Sequence, residues 1–185
     1  TETTGLLPHK DEVVQIGARR IVNARMIEAA RFATLVRPGM PIPAASTKIH
    51  HITDEMAADA PNMATAGKRF HAFCKGAVLV AHNAPFDMAF MHKHAKAMDV
   101  TFDHPVLDTV LLSALVFGES AEHTLDALAD RLSVTIPDAL RHTALGDATA
   151  TAQGYCRLLP LLEARGITTF AHVSEAVKPI RGLVE

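Results

Sequence analysis

Ala77-Val78-Leu79-Val80-Ala81-His82-Asn83-Ala84-Pro85-Phe86-Asp87 is the stretch that decides the fold. Its unbroken run of small and branched apolar residues, after Lys75-Gly76, reads as a short buried strand of the parallel type. Turn-tolerant polar residues follow. Pro85 then suits the first turn of a helix, because its φ is fixed and the N–H it lacks would be unpaired there. Strand, tight turn and helix, with an acid in the helix's first turn, form the repeating unit of open α/β sheets. Such sheets bind ligands in the crevice beyond the carboxyl ends of their strands.

Outward from that unit, the pattern stays α/β. Glu12–Val22 is β-branched and partly alternating, which predicts a strand, and a second runs over about Arg25 to Val36 beyond the turn-like Asn23. Arg37-Pro38-Gly39-Met40-Pro41-Ile42-Pro43 cannot be regular, since its prolines lack donors and restrict their predecessors. Thr53 before Asp54-Glu55 marks a helix start, and Pro61-Asn62 opens a longer helix through Phe73. The Pro85 helix is predicted to reach Ala97. Val106-Leu107 gives one more short strand, and helices are predicted at Thr109–Val116, Thr124–Leu132, Ala144–Ala164 and Thr168–Val177. With no repeat or composition break, residues 1–185 read as a single domain: a mixed β-sheet flanked by helices, with 163–185 as a helical extension.

Composition bounds the function. The chain has 185 residues, 49% hydrophobic and 21% charged, ordinary for a globular protein with a real core. No stretch approaches the roughly 20 apolar residues of a membrane span, so no membrane partner is expected. Thr1–Gly5 has neither basic nor apolar leader character, and the absence of an initial Met reads as a fragment or a processed chain. Cys74 and Cys156 are far apart and read as separate thiols, which places the protein in the cytoplasm. A net charge of −2 and a pI near 6.6 exclude a broad duplex-binding surface. They leave open a cleft in which bound divalent ions reverse the local potential.

The residues with chemistry lie in separate clusters. Glu2 precedes the turn Thr3-Thr4-Gly5-Leu6; Asp87 ends His82-Asn83-Ala84-Pro85-Phe86-Asp87; His142 and Asp147 belong to Arg141-His142-Thr143-Ala144-Leu145-Gly146-Asp147-Ala148. Singly, each is ordinary: a solvated terminal acid, two acids complementing helix dipoles, a surface histidine. Their joint occurrence, in this order with these neighbours, is not.

That set resembles the DEDDh exonucleases, the DnaQ-like proofreading and RNA-trimming family with a ribonuclease-H-like fold. Glu2-Thr3-Thr4-Gly5 matches the second half of its Asp-x-Glu-Thr-Thr-Gly motif. His82 to Asp87 matches His-Asn-Ala-x-Phe-Asp, and His142, Ala144, Asp147 and Ala148 match His-x-Ala-x-x-Asp-Ala. Arg37-Pro38-Gly39, Ile42-Pro43, Ile49–Glu55, Leu107-Asp108-Thr109 and Thr124–Leu128 also look like the family, so the resemblance covers residues 1–162. It implies 3′→5′ hydrolysis of the terminal phosphodiester of single-stranded or frayed DNA or RNA, releasing nucleoside 5′-monophosphates. A DNA polymerase, or further domains of a larger chain, would be the protein partner. It also implies two Mg²⁺ or Mn²⁺ ions. Glu2 and Asp147 would hold the ion that activates water, Asp87 the second, and His142 would act as general base, a task suited to histidine near neutral pH. Thr3, Thr4, Gly5 and Leu6 would meet the terminal nucleotide, with His50 and Phe86 as further walls.

There are departures. His51 replaces the family's glycine after Ile-His and is expected to restrict that loop. The first motif's Asp would stand immediately before Thr1, as would the apolar central strand leading into it. The chain as given is therefore expected to be weakened, and either upstream residues or another segment is expected to fill the central position, since unpaired sheet edges are a liability. The family's Tyr variant places tyrosine four residues before the last Asp; position 143 is Thr, so the His branch is favoured. In one continuous helix His142 and Asp147 would point about 140° apart, which puts His142 on a mobile loop ahead of the helix.

Rival readings are a non-catalytic module that binds nucleic-acid ends or a polymerase, and a hydrolase of small phosphodiesters. Elsewhere the plain reading holds. His92 and His94 lack metal-ligand spacing, and Met88, Met91 and Met98 fill core gaps. Asp108 either caps a helix or orients a site residue.

Overall fold

The computed structural model describes every residue, Thr1–Glu185. Strands β2 (Val13–Val22) and β3 (Arg25–Leu35) form a long antiparallel hairpin that turns through left-handed Asn23 and Ala24, φ 50° and 61°. On the other edge of β2 lies the two-residue strand β1 (Glu2–Thr3), with Glu2 opposite Gln15 and Thr3 opposite Val13. Strands β4 (Leu79–Ala81) and β5 (Val106–Asp108) form a separate parallel pair. Antiparallel and parallel pairings are both present as expected, divided between two sheets. Of the two expected ways of filling the position between them, another segment of this chain is not found: β1 pairs only with β2, and β4 only with β5. For the same reason β4 is half-buried, not buried as its apolar run predicts. It is covered on fewer sides than a central strand would be.

The helices begin where the sequence signals them. Thr53, Asn62, Asp108, Thr124, Thr143 and Thr169 each accept an N–H of the following turn through their side chains. They open α2 (Asp54–Ala57), α3 (Met63–Phe73), α5 (Thr109–Phe117), α6 (Leu125–Arg131), α7 (Ala144–Glu163) and α8 (Phe170–Ala176), while α4 is Ala84–Met98. Helix α1 (Ala44–His50) has no capping side chain at Pro43, and it was not among the predicted helices.

Val13, Ile16, Met63, Phe90 and Met98 pack β2 against α3 and α4. Leu112, Leu128, Leu158 and Leu162 join α5, α6 and α7 in a second core. The N-terminus of α7 crosses β2 closely. A Cβ at Gly17 would lie 2.4 Å from the Ala144 carbonyl carbon and the Leu145 nitrogen. Gln15 Oε1 there accepts the Ala144 N–H at 2.9 Å. This crossing sets the start of α7 beside β1, and the site follows from it.

Candidate active site

The loop after β1 is tied from inside. The Asp11 carboxylate accepts the Thr4 hydroxyl at 3.1 Å and the Leu7 N–H at 2.9 Å, while the Glu12 N–H donates to Thr4 Oγ1 at 3.0 Å. A Cβ at Gly5 would strike the Asp11 carboxylate at 2.4 Å, so a side chain there would push that carboxylate away from its ties. The Ser46 hydroxyl donates to the Thr4 carbonyl at 2.6 Å. His50 Nδ1 accepts the Ile52 N–H at 3.1 Å, which leaves Nε2 to carry the proton and donate to the Thr3 carbonyl at 3.2 Å. Burial lowers its pKa, which favours this neutral form. Thr3, Thr4 and His50 are thus buried and engaged, whereas Leu6 projects with 80% of its surface exposed. His51 sits at φ 62°, the left-handed region that favours glycine.

The second tract is held by Asp108, which performs both roles proposed for it. One oxygen accepts the N–H of Asn83 (3.1 Å) and of Val110 (2.9 Å); the other accepts that of Ala84 at 2.7 Å. It therefore caps α5 and cradles the turn that launches α4. His82 bridges this turn to the far side. Its Nε2 donates to the His123 carbonyl at 2.7 Å, and Nδ1 accepts the Thr109 hydroxyl at 2.8 Å. Burial lowers its pKa as well. Phe86 is half-buried, edge-on to Phe90 with ring centroids 5.2 Å apart. Asp87, on the next position of α4, turns toward β1: its Oδ1 accepts the Thr1 ammonium at 3.0 Å and the Thr1 hydroxyl at 2.5 Å.

Asp147 lies in the first turn of α7, and exposed His142 lies in the turn ahead of the helix, as the angular argument required. The acids feel one another. Burial, then Asp147, pushes Glu2 up to about 7, with Asp87 adding and the Thr1 ammonium opposing. Asp147 is raised by burial above all; the ammonium and His142 act against the rise, and Asp126 and Asp87 with it. The Thr1 amine is itself raised, because Asp87, Glu2 and Asp147 outweigh its burial. The structure thus brings Glu2, Asp87, Asp147 and His142 together. Leu6 is exposed, while His50 is buried and Phe86 half-buried. Sequence reasoning missed Asp11, since it lies in no recognisable motif.

Carboxylate oxygens are the donors that Mg²⁺ and Mn²⁺ prefer, so the chemistry of the cluster fits such ions. No three of its acidic or imidazole groups surround one point at ligand spacing. One oxygen of Asp87 is engaged by the ammonium.

Residues 1–155 match the exonuclease family of ribonuclease T type, and the chain belongs to that family. A DNA polymerase III subunit epsilon-like protein of Rhodobacter capsulatus is 59% identical over 96% of the chain and 25% of its own length. A PolC-type DNA polymerase III of Caldanaerobacter subterraneus is 37% identical over 95% of the chain and 12% of its own length. The chain therefore spans a quarter or less of these relatives. Among solved structures, exonuclease X in complex with 5′-overhanging duplex DNA superposes with a TM-score of 0.71 and 24% identity, covering 95% of both chains. Escherichia coli exonuclease I in complex with a dT13 oligonucleotide gives 0.74 and 16%, covering 89% of this chain and 41% of that one. These likenesses show a shared fold. Cys74 and Cys156 are free thiols, and no helix is long and apolar enough to cross a membrane.

Proposed function

We propose that this chain is a 3′→5′ exonuclease domain that removes nucleoside 5′-monophosphates from single-stranded or frayed DNA ends. The observation that supports the reading is the mutual electrostatic influence of Glu2, Asp87 and Asp147, from distant parts of the sequence, with His142 also acting on Asp147. Glu2 and Asp147 would hold one Mg²⁺ or Mn²⁺, and Asp87 a second. Bound there, the ions would acidify the attacking water and offset charge on the leaving oxygen.

The chain's own groups supply the rest. Burial and mutual repulsion make the acid cluster receptive to positive charge. His142, outside the helix and facing Asp147, takes the proton from the attacking water. The buried ties on Thr3 and Thr4 hold the Gly5 turn rigid, so Leu6 can press against a terminal base. DNA is favoured over RNA by relatives that are DNA polymerase III chains, and a polymerase is the proposed partner. The test is nucleotide release from single-stranded DNA, single-stranded RNA and a small phosphodiester, with Mg²⁺ or Mn²⁺. The expected result is stepwise 5′-monophosphates from DNA and at least about a 100-fold loss in His142→Ala, with metal binding intact. A variant that keeps most of its rate removes His142 from the mechanism.

A further inference from the structure

The turn that carries His142 rests on a helix residue with no side chain. Leu140–Thr143 is a type II β-turn. The Thr143 N–H donates to the Leu140 carbonyl at 3.2 Å, Arg141 lies at φ −60°, ψ 137°, and His142 at φ 59°. The third position of such a turn favours glycine, so an imidazole there sits on a strained backbone that its surroundings must hold in place. The Thr143 hydroxyl donates to the Leu140 carbonyl at 2.8 Å and accepts the Gly146 N–H at 3.0 Å, joining turn and helix. The Leu140 carbonyl also lies directly against the α-carbon of Gly146. A Cβ there would come within 1.8 Å of the carbonyl oxygen, 2.6 Å of its carbon and 2.9 Å of Thr143 Oγ1. The nearest of these contacts are backbone atoms and cannot swing aside as a side chain would.

We infer that Gly146 and Thr143 are positioning residues for His142. The bare α-carbon lets the turn settle on the first turn of α7, and the hydroxyl fastens it there, so that an exposed loop delivers its imidazole beside Asp147. This rests on the reading of His142 as general base. Alanine at 146 suits the helix better than glycine, so Gly146→Ala sets a gain in the helix against a loss in the turn.

The test is steady-state nucleotide release by the full chain with Mn²⁺, read beside the hydrogen-exchange protection of the Thr143 amide. Gly146→Ala should lower kcat at least about tenfold, leave KM within about twofold and reduce Thr143 protection about tenfold or more. In a His142→Ala background the same substitution should change nothing further, because both act through one group. Thr143→Val should give a weaker version of this pattern, and Thr143→Ser should restore the rate. This pair carries the test if Gly146→Ala does not fold. Wild-type kcat and Thr143 protection in Gly146→Ala would overturn the inference, as would an undiminished loss in the His142→Ala background. A His142→Ala protein with wild-type rates would instead bring down the general-base reading on which this one stands.

Discussion

Two sets of carboxylates sit a few residues from each other's elements and live under opposite conditions. Asp108 is only 7% exposed, yet it is surrounded by donors and accepts the N–H groups of Asn83, Ala84 and Val110. Glu2 and Asp147 are less deeply placed but face other acids; burial and like charge drive both pKa values upward. The same functional group thus serves as a fastening in one place and, on the proposed function, as a cation receptor in the other. The difference lies in the donors the backbone supplies. A carboxylate with its donors provided stabilises the native chain, whereas one denied them is left to bind a cation from outside.

Exchanging the roles gives the sharpest tests. Asp147→Asn should lower nucleotide release about 1000-fold, a transition-state loss of about 4 kcal/mol, while raising the metal-free melting temperature by relieving repulsion. A calorimetric scan beside the rate assay checks both. Asp108→Ala should do the reverse to stability, costing about 3 kcal/mol in urea unfolding because it orphans buried N–H groups; a loss below about 1 kcal/mol would erase the contrast.

Proton linkage gives a smaller effect with a definite sign. Glu2 is pushed up to about 7 in the folded chain from an ordinary value of 4.5, so the folded form binds the proton more tightly. Glu2's contribution to metal-free stability should therefore be greatest below about pH 4.5, fall as pH rises toward about 7, and level off above. Glu2→Gln should flatten most of that slope in urea titrations at pH 5 and pH 8. Mn²⁺ affinity should climb across the same window, since the ion competes with the proton. The smallest change is expected at Asn83, left-handed at φ 64°, ψ 58°, exposed and without a capping bond. Asn83→Gly should alter stability by less than about 0.5 kcal/mol.

Features that repeat a local rule were legible in the sequence. Thr53 and Pro61-Asn62 announced helix starts, Pro85 announced α4, and the β2–β3 hairpin followed from its branched residues and Asn23. The acids at 2, 87 and 147 and the histidine at 142 were legible because each sits in a patterned tract. What escaped depends on groups meeting in space. Asp11 closes a loop over Gly5, and nothing local marks it as the partner of Thr4 and Leu7. Gly146 looks like an indifferent helix residue until the Leu140 carbonyl is seen lying on it. Helix α1 has no cap to announce it, and the burial of β4 depended on neighbours that its own residues do not specify.

The Gln15–Ala144 contact joins positions 129 residues apart, and the acid cluster depends on that same crossing of β2 by α7. Contacts between such remote segments form slowly and late, because a long stretch must be ordered before they close. Any shortened polypeptide ending before α7 would have Glu2 and Asp87 but not Asp147 or its helix. On the proposed function, such a product lacks one of the acids that would hold the water-activating ion, and it is expected to release no nucleotide.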